Sequence, residues 1–178
     1  MTEFESSTTH IPPDRLRVWS FHPATWLLVP LAAILFQVYV PRFLSYLSYL
    51  ELPLLVTVYF SLMRRNPPAG ALTGCLIGLA QDALSQHYLG LNGIAKTLIG
   101  YSAASISLRF DVDNAGLRFL LGFSFFVAHQ MVLWVLSRSL LGAPEVLHVP
   151  QMLIAAFLNA AVALPLFQVL DRLKAEAR

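Results

Sequence analysis

Charge is what this sequence has least of. Of its 178 residues, 12% are charged and 57% are hydrophobic. Soluble proteins carry roughly twice that share of charge, so the composition excludes a water-soluble domain and indicates an all-α integral membrane protein. The formal net charge is +2, too small to argue for nucleic acid. A lone cysteine, Cys75, excludes an internal disulfide framework and a cysteine-rich metal cluster. No histidine has a cysteine, carboxylate or second histidine at ligand spacing, so neither a metal nor a cofactor is expected. There is no Ser-His-Asp order worth arguing, no phosphate-binding loop and no HExxH motif, so no enzyme is expected. Residues 1–9 hold two glutamates and no lysine or arginine. No small-residue cleavage site follows the first apolar run, so the first helix is expected to be retained.

What is present is a series of six apolar stretches with short links. Residues 1–20 read as a polar tail, with residues 15–21 (two arginines, Trp19 and Phe21) suited to a membrane interface. The expected spans are 23–40, 52–63, 69–84, 89–108, 117–141 and 150–170, inside a six-helix transmembrane domain over 21–171. Residues 172–178 form a charged tail. The second stretch is too short, because twelve helical residues reach about 18 Å of a hydrocarbon core of about 30 Å. Either that helix begins near Leu44 with a kink at Pro53, or it is short and sheltered by its neighbours. Asp113 or Asn114 is expected to cap the fifth helix.

Six spans put both termini on one side. Counting lysine and arginine chooses the side. With cytoplasmic termini the inside holds Arg15, Arg17, Arg64, Arg65, Arg109, Arg118, Arg172, Lys174 and Arg178, and the outside only Arg42 and Arg138. Nine against two places both ends in the cytoplasm. The link at 86–90 then faces outward. Arg64, Arg65, Arg109 and Arg118 form a cytoplasmic basic set, suited to lipid or cytoskeletal partners.

The chain is organised around residues 66–101. Gly70, Gly74 and Gly78 recur every four residues, and Asp82 continues the spacing; Gly93 and Gly100 share a face of the next helix with Lys96. Glycine at such spacing lets helix backbones approach closely. Ionisable groups inside a span are costly and mark a structural or functional site. Helix counting places Asp82 about 5 Å and Lys96 about 9 Å below the outer turn, and a lysine stem can lift its ammonium towards the interface. The two charges are therefore candidates for a structural ion pair. The alternatives are a capping aspartate, a site for a small anion or a partner's polar group, and a proton or ion relay, with Gln81 and Asn92 beside them. Close packing is the plain reading of the glycines, and receipt of a helix from another protein the sharper one. Glu51 reads as a solvated end residue. His129, Gln130 and Asn159 read as interhelical hydrogen-bond formers.

The run RRNPPAGALTGCLIGLAQDALSQHYLGLNGIAKTLIGY resembles the central signature of the rod shape-determining MreD family. The matching elements are the basic-proline start at 64–68, the Gly-Leu-x-x-Asp-x-Leu-Ser pattern at 78–85, Leu89-Gly90, and Gly100-Tyr101. The resemblance covers 66–101, and length and layout agree outside it. It implies a multi-pass protein of the bacterial inner membrane. It further implies a non-enzymatic scaffold of the cell-elongation machinery, acting with the membrane helix of MreC, the RodA glycosyltransferase and its transpeptidase partner, and indirectly the MreB filament. The family's fold is similar to the six-helix substrate-binding component of energy-coupling-factor transporters. The alternative function is therefore solute binding, with Asp82, Lys96, Gln81 and Asn92 lining an outward pocket. Ala24, Ala32 and Ala33 on the first helix are a sparse match to that component's docking surface.

Overall fold

A computed structural model describes residues 23–43, 45–85, 88–110, 112–142 and 147–173. The N-terminal tail with the interface segment at 15–21, Leu44 as a helix start, residues 174–178 of the C-terminal tail, and parts of the links at 86–90, 109–116 and 142–149 lie outside the described residues. Among the described residues the protein is all-helical. The helices are α1 (Pro23–Tyr39), α2 (Leu52–Arg64), α3 (Pro67–Ser85), α4 (Leu91–Ser107), α5 (Ala115–Leu141) and α6 (Val149–Asp171), with short 3-10 turns at Val40–Arg42 and Ser45–Tyr49 between α1 and α2. By length and composition, α5 and α6 are long and apolar enough to cross a membrane. α1 is apolar but stops at 17 residues. α3 has 19 residues, but glycine, proline, Gln81 and Asp82 dilute its apolar character.

Local chemistry sets the helix ends. Pro67 and Pro68 open α3, where a missing N–H costs little. Asn66 Oδ1 accepts from Ala69 N at 3.2 Å. Of the two candidate caps for α5, Asn114 takes the role, its side chain accepting from Gly116 N at 2.8 Å. α2 begins at Leu52 and is short. Every residue from Pro53 to Met63 is buried, because α2 packs against all five other helices. Of the two arrangements open for this stretch, the structure takes the short, sheltered one.

The closest pairing is α3 against α4. A side chain added at Gly70 would overlap the Gly100 carbonyl, and one added at Gly100 would overlap that of Gly70. At Gly74 it would meet the Lys96 carbonyl, and at Gly78 that of Asn92. These obstacles are backbone atoms and cannot rotate away. The glycine stripe is therefore occupied by α4 of the same chain. On the opposite face Leu72 and Leu76 are exposed, as lipid-facing residues of a membrane-type protein are.

The turns between α2 and α3 and between α4 and α5 share one end of the bundle. It carries Arg64, Arg65, Arg109 and Arg118, and is called the basic end. The α3–α4 turn marks the opposite, hairpin end.

Overpacking a close contact destabilises by about 1–3 kcal/mol even where side chains can adjust. Gly74→Leu meets backbone and should abolish the monodisperse folded species in mild detergent. Leu76→Ala, on the exposed face of the same helix, should leave its thermal midpoint nearly unchanged. Equal behaviour of the two in a heating series followed by size-exclusion chromatography would refute the assignment.

Candidate functional site

The α3–α4 contact carries a polar site at its hairpin end. α4 starts at Gly90, whose φ of 102° lies in the left-handed region and which has no side chain to cap the helix. Asp82 supplies the cap from α3. Its Oδ2 accepts from Gly90 N at 2.9 Å and Gly93 N at 3.2 Å, and its Oδ1 accepts from Asn92 Nδ2 at 2.9 Å. A carboxylate at a helix N-terminus satisfies free N–H groups and faces the positive end of the dipole. That is how a fully buried aspartate is held.

Lys96 is completely buried. Its Nζ donates to Asn92 Oδ1 at 3.0 Å and lies 3.3 Å from His129 Nε2 on α5. A charged Lys96 donates to Nε2, which places the imidazole proton on Nδ1. The ion-pair partner is Glu51, whose Oε2 is 3.6 Å from Nζ. Asp82 and Lys96 thus share a site at one depth, but Asn92 stands between them, donating to one and accepting from the other. Glu51 is not the solvated end residue expected from sequence. It precedes α2, and its side chain is only 18% exposed.

Glu51 reaches this position because α2 starts inside the bundle. Asn159 of α6 holds that start. Its Oδ1 accepts from Glu51 N at 2.8 Å, and its Nδ2 donates to Tyr49 O at 2.7 Å and Ala155 O at 2.9 Å. Leu54 N and Leu55 N already donate to Glu51 O. Two carboxylates therefore sit at two helix N-termini with one ammonium between them. Each N-terminus carries about half a positive charge, so the cluster is close to balanced. Gln81 is buried beside Asp82, yet its Oε1 makes no hydrogen bond, and neither does His129 Nδ1; Glu51 Oε2 has only its ion pair with Lys96.

A second polar cluster closes the basic end. Arg118 is buried and uses its guanidinium on three sides. Nε donates to Val112 O at 2.8 Å, Nη1 to Asp171 Oδ2 at 2.6 Å, and Nη2 to Asp113 Oδ1 at 3.0 Å. Tyr59 of α2 donates to Asp171 Oδ1 at 2.8 Å. Arg118 therefore does not stand with the outward-facing arginines. Arg109 is exposed. Arg64 is exposed and lies 4.4 Å over the Trp26 ring, which stacks on Phe60. Arg65 ends α2 with a φ of 49°.

Chemically, both clusters join helices. Sequence reasoning placed Asp82, Lys96, Gln81 and Asn92 together. It read Asn159 and His129 as interhelical hydrogen-bond formers, which they are, without naming their partners, and it missed Glu51, Tyr59 and Asp171 as members of these clusters. The signal for Glu51 and Asn159 was the short second stretch, since a helix that starts inside a bundle needs polar partners at its first turn. Nothing in the sequence marks Tyr59 and Asp171 as partners.

The chain matches the sequence model of the family described as rod shape-determining protein MreD over residues 20–173. No curated protein and no solved structure matches it.

Asp82→Ala would strand two backbone N–H groups and the Asn92 amide, at a cost of about 3 kcal/mol. Asp82→Asn keeps one acceptor oxygen and should lose less. At the other end Arg118→Ala leaves Asp171 uncompensated and should cost about 3 kcal/mol, whereas Arg109→Ala should be nearly silent. Thermal midpoints of the four purified variants check both orders, and an inverted order at either end counts against that cluster's role.

Proposed function

We propose, because the chain belongs to the rod shape-determining protein MreD family, that it acts in bacterial rod-shape determination as a non-enzymatic scaffold of the inner membrane. It crosses the membrane six times with both termini in the cytoplasm, so that the basic end is cytoplasmic and the hairpin end faces out. It binds the membrane helix of MreC and links it to the RodA glycosyltransferase, its transpeptidase partner and, indirectly, the MreB filament.

The observation that supports this reading is how the polar side chains are used. Asp82 and Asn92 are spent on the start of α4, Asn159 on the start of α2, and Arg118 on three acceptors of the same chain, Val112 O, Asp113 and Asp171. What remains outward is apolar surface, such as Leu27, Leu28, Leu72, Leu76, Ile154 and Phe157. To it is added the exposed Arg64 and Arg109 at one end. Such a surface recognises other helices by close packing and anionic lipid or protein by charge. The transporter-like alternative required Asp82, Lys96, Gln81 and Asn92 to converge on a solute. The carboxylate and the Asn92 amide are already engaged, which weakens it.

Gentle purification from the native membrane, followed by mass spectrometry of proteins and small molecules, tests the proposal. MreC or elongation synthases are expected. A vitamin-like solute or an ATPase module in their place would overturn the scaffold reading. Replacing Arg64 and Arg109 with glutamine should weaken co-purification and rod-shape complementation several-fold without lowering the amount of folded protein, and unchanged assembly would count against a role for the basic end.

A further inference from the structure

The helices finish together at the basic end but not at the hairpin end. Tyr59 of α2 and Arg118 of α5 both reach Asp171, the last residue of α6. Arg64, at the end of α2, lies over Trp26 in the first turn of α1. From that common level α5 and α6, with 27 and 23 residues, rise about 40 and 34 Å. α1, with 17 residues, rises only about 25 Å. Its chain then passes through the 3-10 turns Val40–Arg42 and Ser45–Tyr49 and re-enters the bundle at the start of α2.

The second of these turns sits low against α6. Tyr49 O accepts from Asn159 Nδ2 at 2.7 Å. Asn159 lies ten residues into α6, so about 15 Å of that helix stands beyond it. At this height α6 presents an apolar outer face, on which Phe157 is 63% exposed. The turns are open as well. Ser48 is exposed, Tyr49 is 50% exposed, and Phe43, between the two turns, is 85% exposed. Exposed irregular backbone does not occur against hydrocarbon. A flat bilayer reaching the far end of α6 would place hydrocarbon against Ser48. Bilayers instead change thickness to meet a protein surface of different length, and an exposed tyrosine is at home at the headgroup level.

We propose that the hairpin-end leaflet is drawn down beside α1 and its turns. Phospholipid headgroups rest on Phe43, Ser48 and Tyr49, about 10 Å lower than beside α6, which is the difference in height between α6 and α1. The surface formed by the two turns is thus a lipid-headgroup contact that thins the membrane on one side of the protein only. The proposal rests on the six-span reading and does not require the scaffold role.

Depth-dependent fluorescence quenching tests it in phosphatidylcholine vesicles, with bimane on single cysteines in a Cys75→Ser background. One set of vesicles carries a nitroxide on the lipid headgroup, the other a nitroxide deep on the acyl chain. Ser48→Cys and Phe157→Cys stand at nearly the same height in the bundle, because Asn159 binds the residue after Ser48 and lies two residues from Phe157. The headgroup-to-acyl quenching ratio is expected to be several-fold higher at Ser48→Cys than at Phe157→Cys, and Phe43→Cys should follow Ser48→Cys. Equal, acyl-dominated quenching at the three sites overturns the proposal. So does the absence of quenching by either lipid at Ser48→Cys and Phe43→Cys, which would mean that protein covers the turns. Leu27→Cys and Val169→Cys, near the basic ends of α1 and α6, should give similar ratios. Ratios differing several-fold there would mean that the whole protein tilts in a flat bilayer, and would also overturn the proposal. Headgroup-dominated quenching at Phe157→Cys would remove the six-span reading together with the thinning, whereas failure at Ser48→Cys and Phe43→Cys with Phe157→Cys deep removes the thinning alone.

Discussion

The backbone of α3 lies directly on the backbone of α4, and the rest of the structure follows from that contact. Gly70, Gly74 and Gly78 have no side chains to hold the two helices apart. Close approach brings Asp82 within hydrogen-bonding distance of the α4 N-terminus. It also fixes where Lys96 emerges from α4, and hence where an ammonium must find acceptors. Because the Lys96 stem turns back towards Asn92, the charge sits level with the start of α2. The buried site is a consequence of glycine spacing two and three turns away.

The same contact explains how a half-length helix is tolerated at the centre. A helix that starts in the interior leaves its first N–H groups and its cap residue without water. Asn159 satisfies one of these groups, Glu51 O accepts from two more, and the Glu51 side chain faces Lys96. At the other end Tyr59, Arg118 and Asp171 tie α2, α5 and α6 together. α2 is thus pinned at both ends by polar groups and along its length by apolar packing. Removing one partner of such a buried set costs more than the set contributes, so these residues are sensitive positions whether or not they bind anything.

Much of this was legible in the sequence, for identifiable reasons. Glycine spacing is a local, periodic signal, so the α3–α4 hairpin and the burial of Asp82, Gln81 and Lys96 could be read directly. The helix start marked by Pro67-Pro68 was equally plain, and that of α5 was narrowed to Asp113 or Asn114, of which the structure uses Asn114. Partners distant in sequence were not. Glu51 and Asn159 are 108 residues apart, and no periodicity connects them. Arg118 illustrates the limit most clearly. Its place just after a charged turn, at the start of the fifth helix, suggested a solvent-facing residue, and only the fold brings Asp171, 53 residues away, to its guanidinium. Charge on a short loop sets orientation by count, but the count does not distinguish an arginine in water from one spent on the interior.

This inward use of polarity limits how the protein can recognise anything. The helices expose large apolar side chains such as Leu27, Leu72, Ile154 and Phe157, chemically close to lipid. Between such surfaces no hydrophobic gain drives association, and shape complementarity has to supply it. Shape complementarity needs a rigid surface. Rigidity here comes from the buried clusters, because a helix tied by carboxylate, amide and ammonium at fixed depth cannot slide or rotate without breaking several hydrogen bonds at once. The costly interior charges and the bland exterior are then two sides of one arrangement. On the scaffold reading proposed above, charge inside the bundle serves recognition outside it by keeping the surface in one shape.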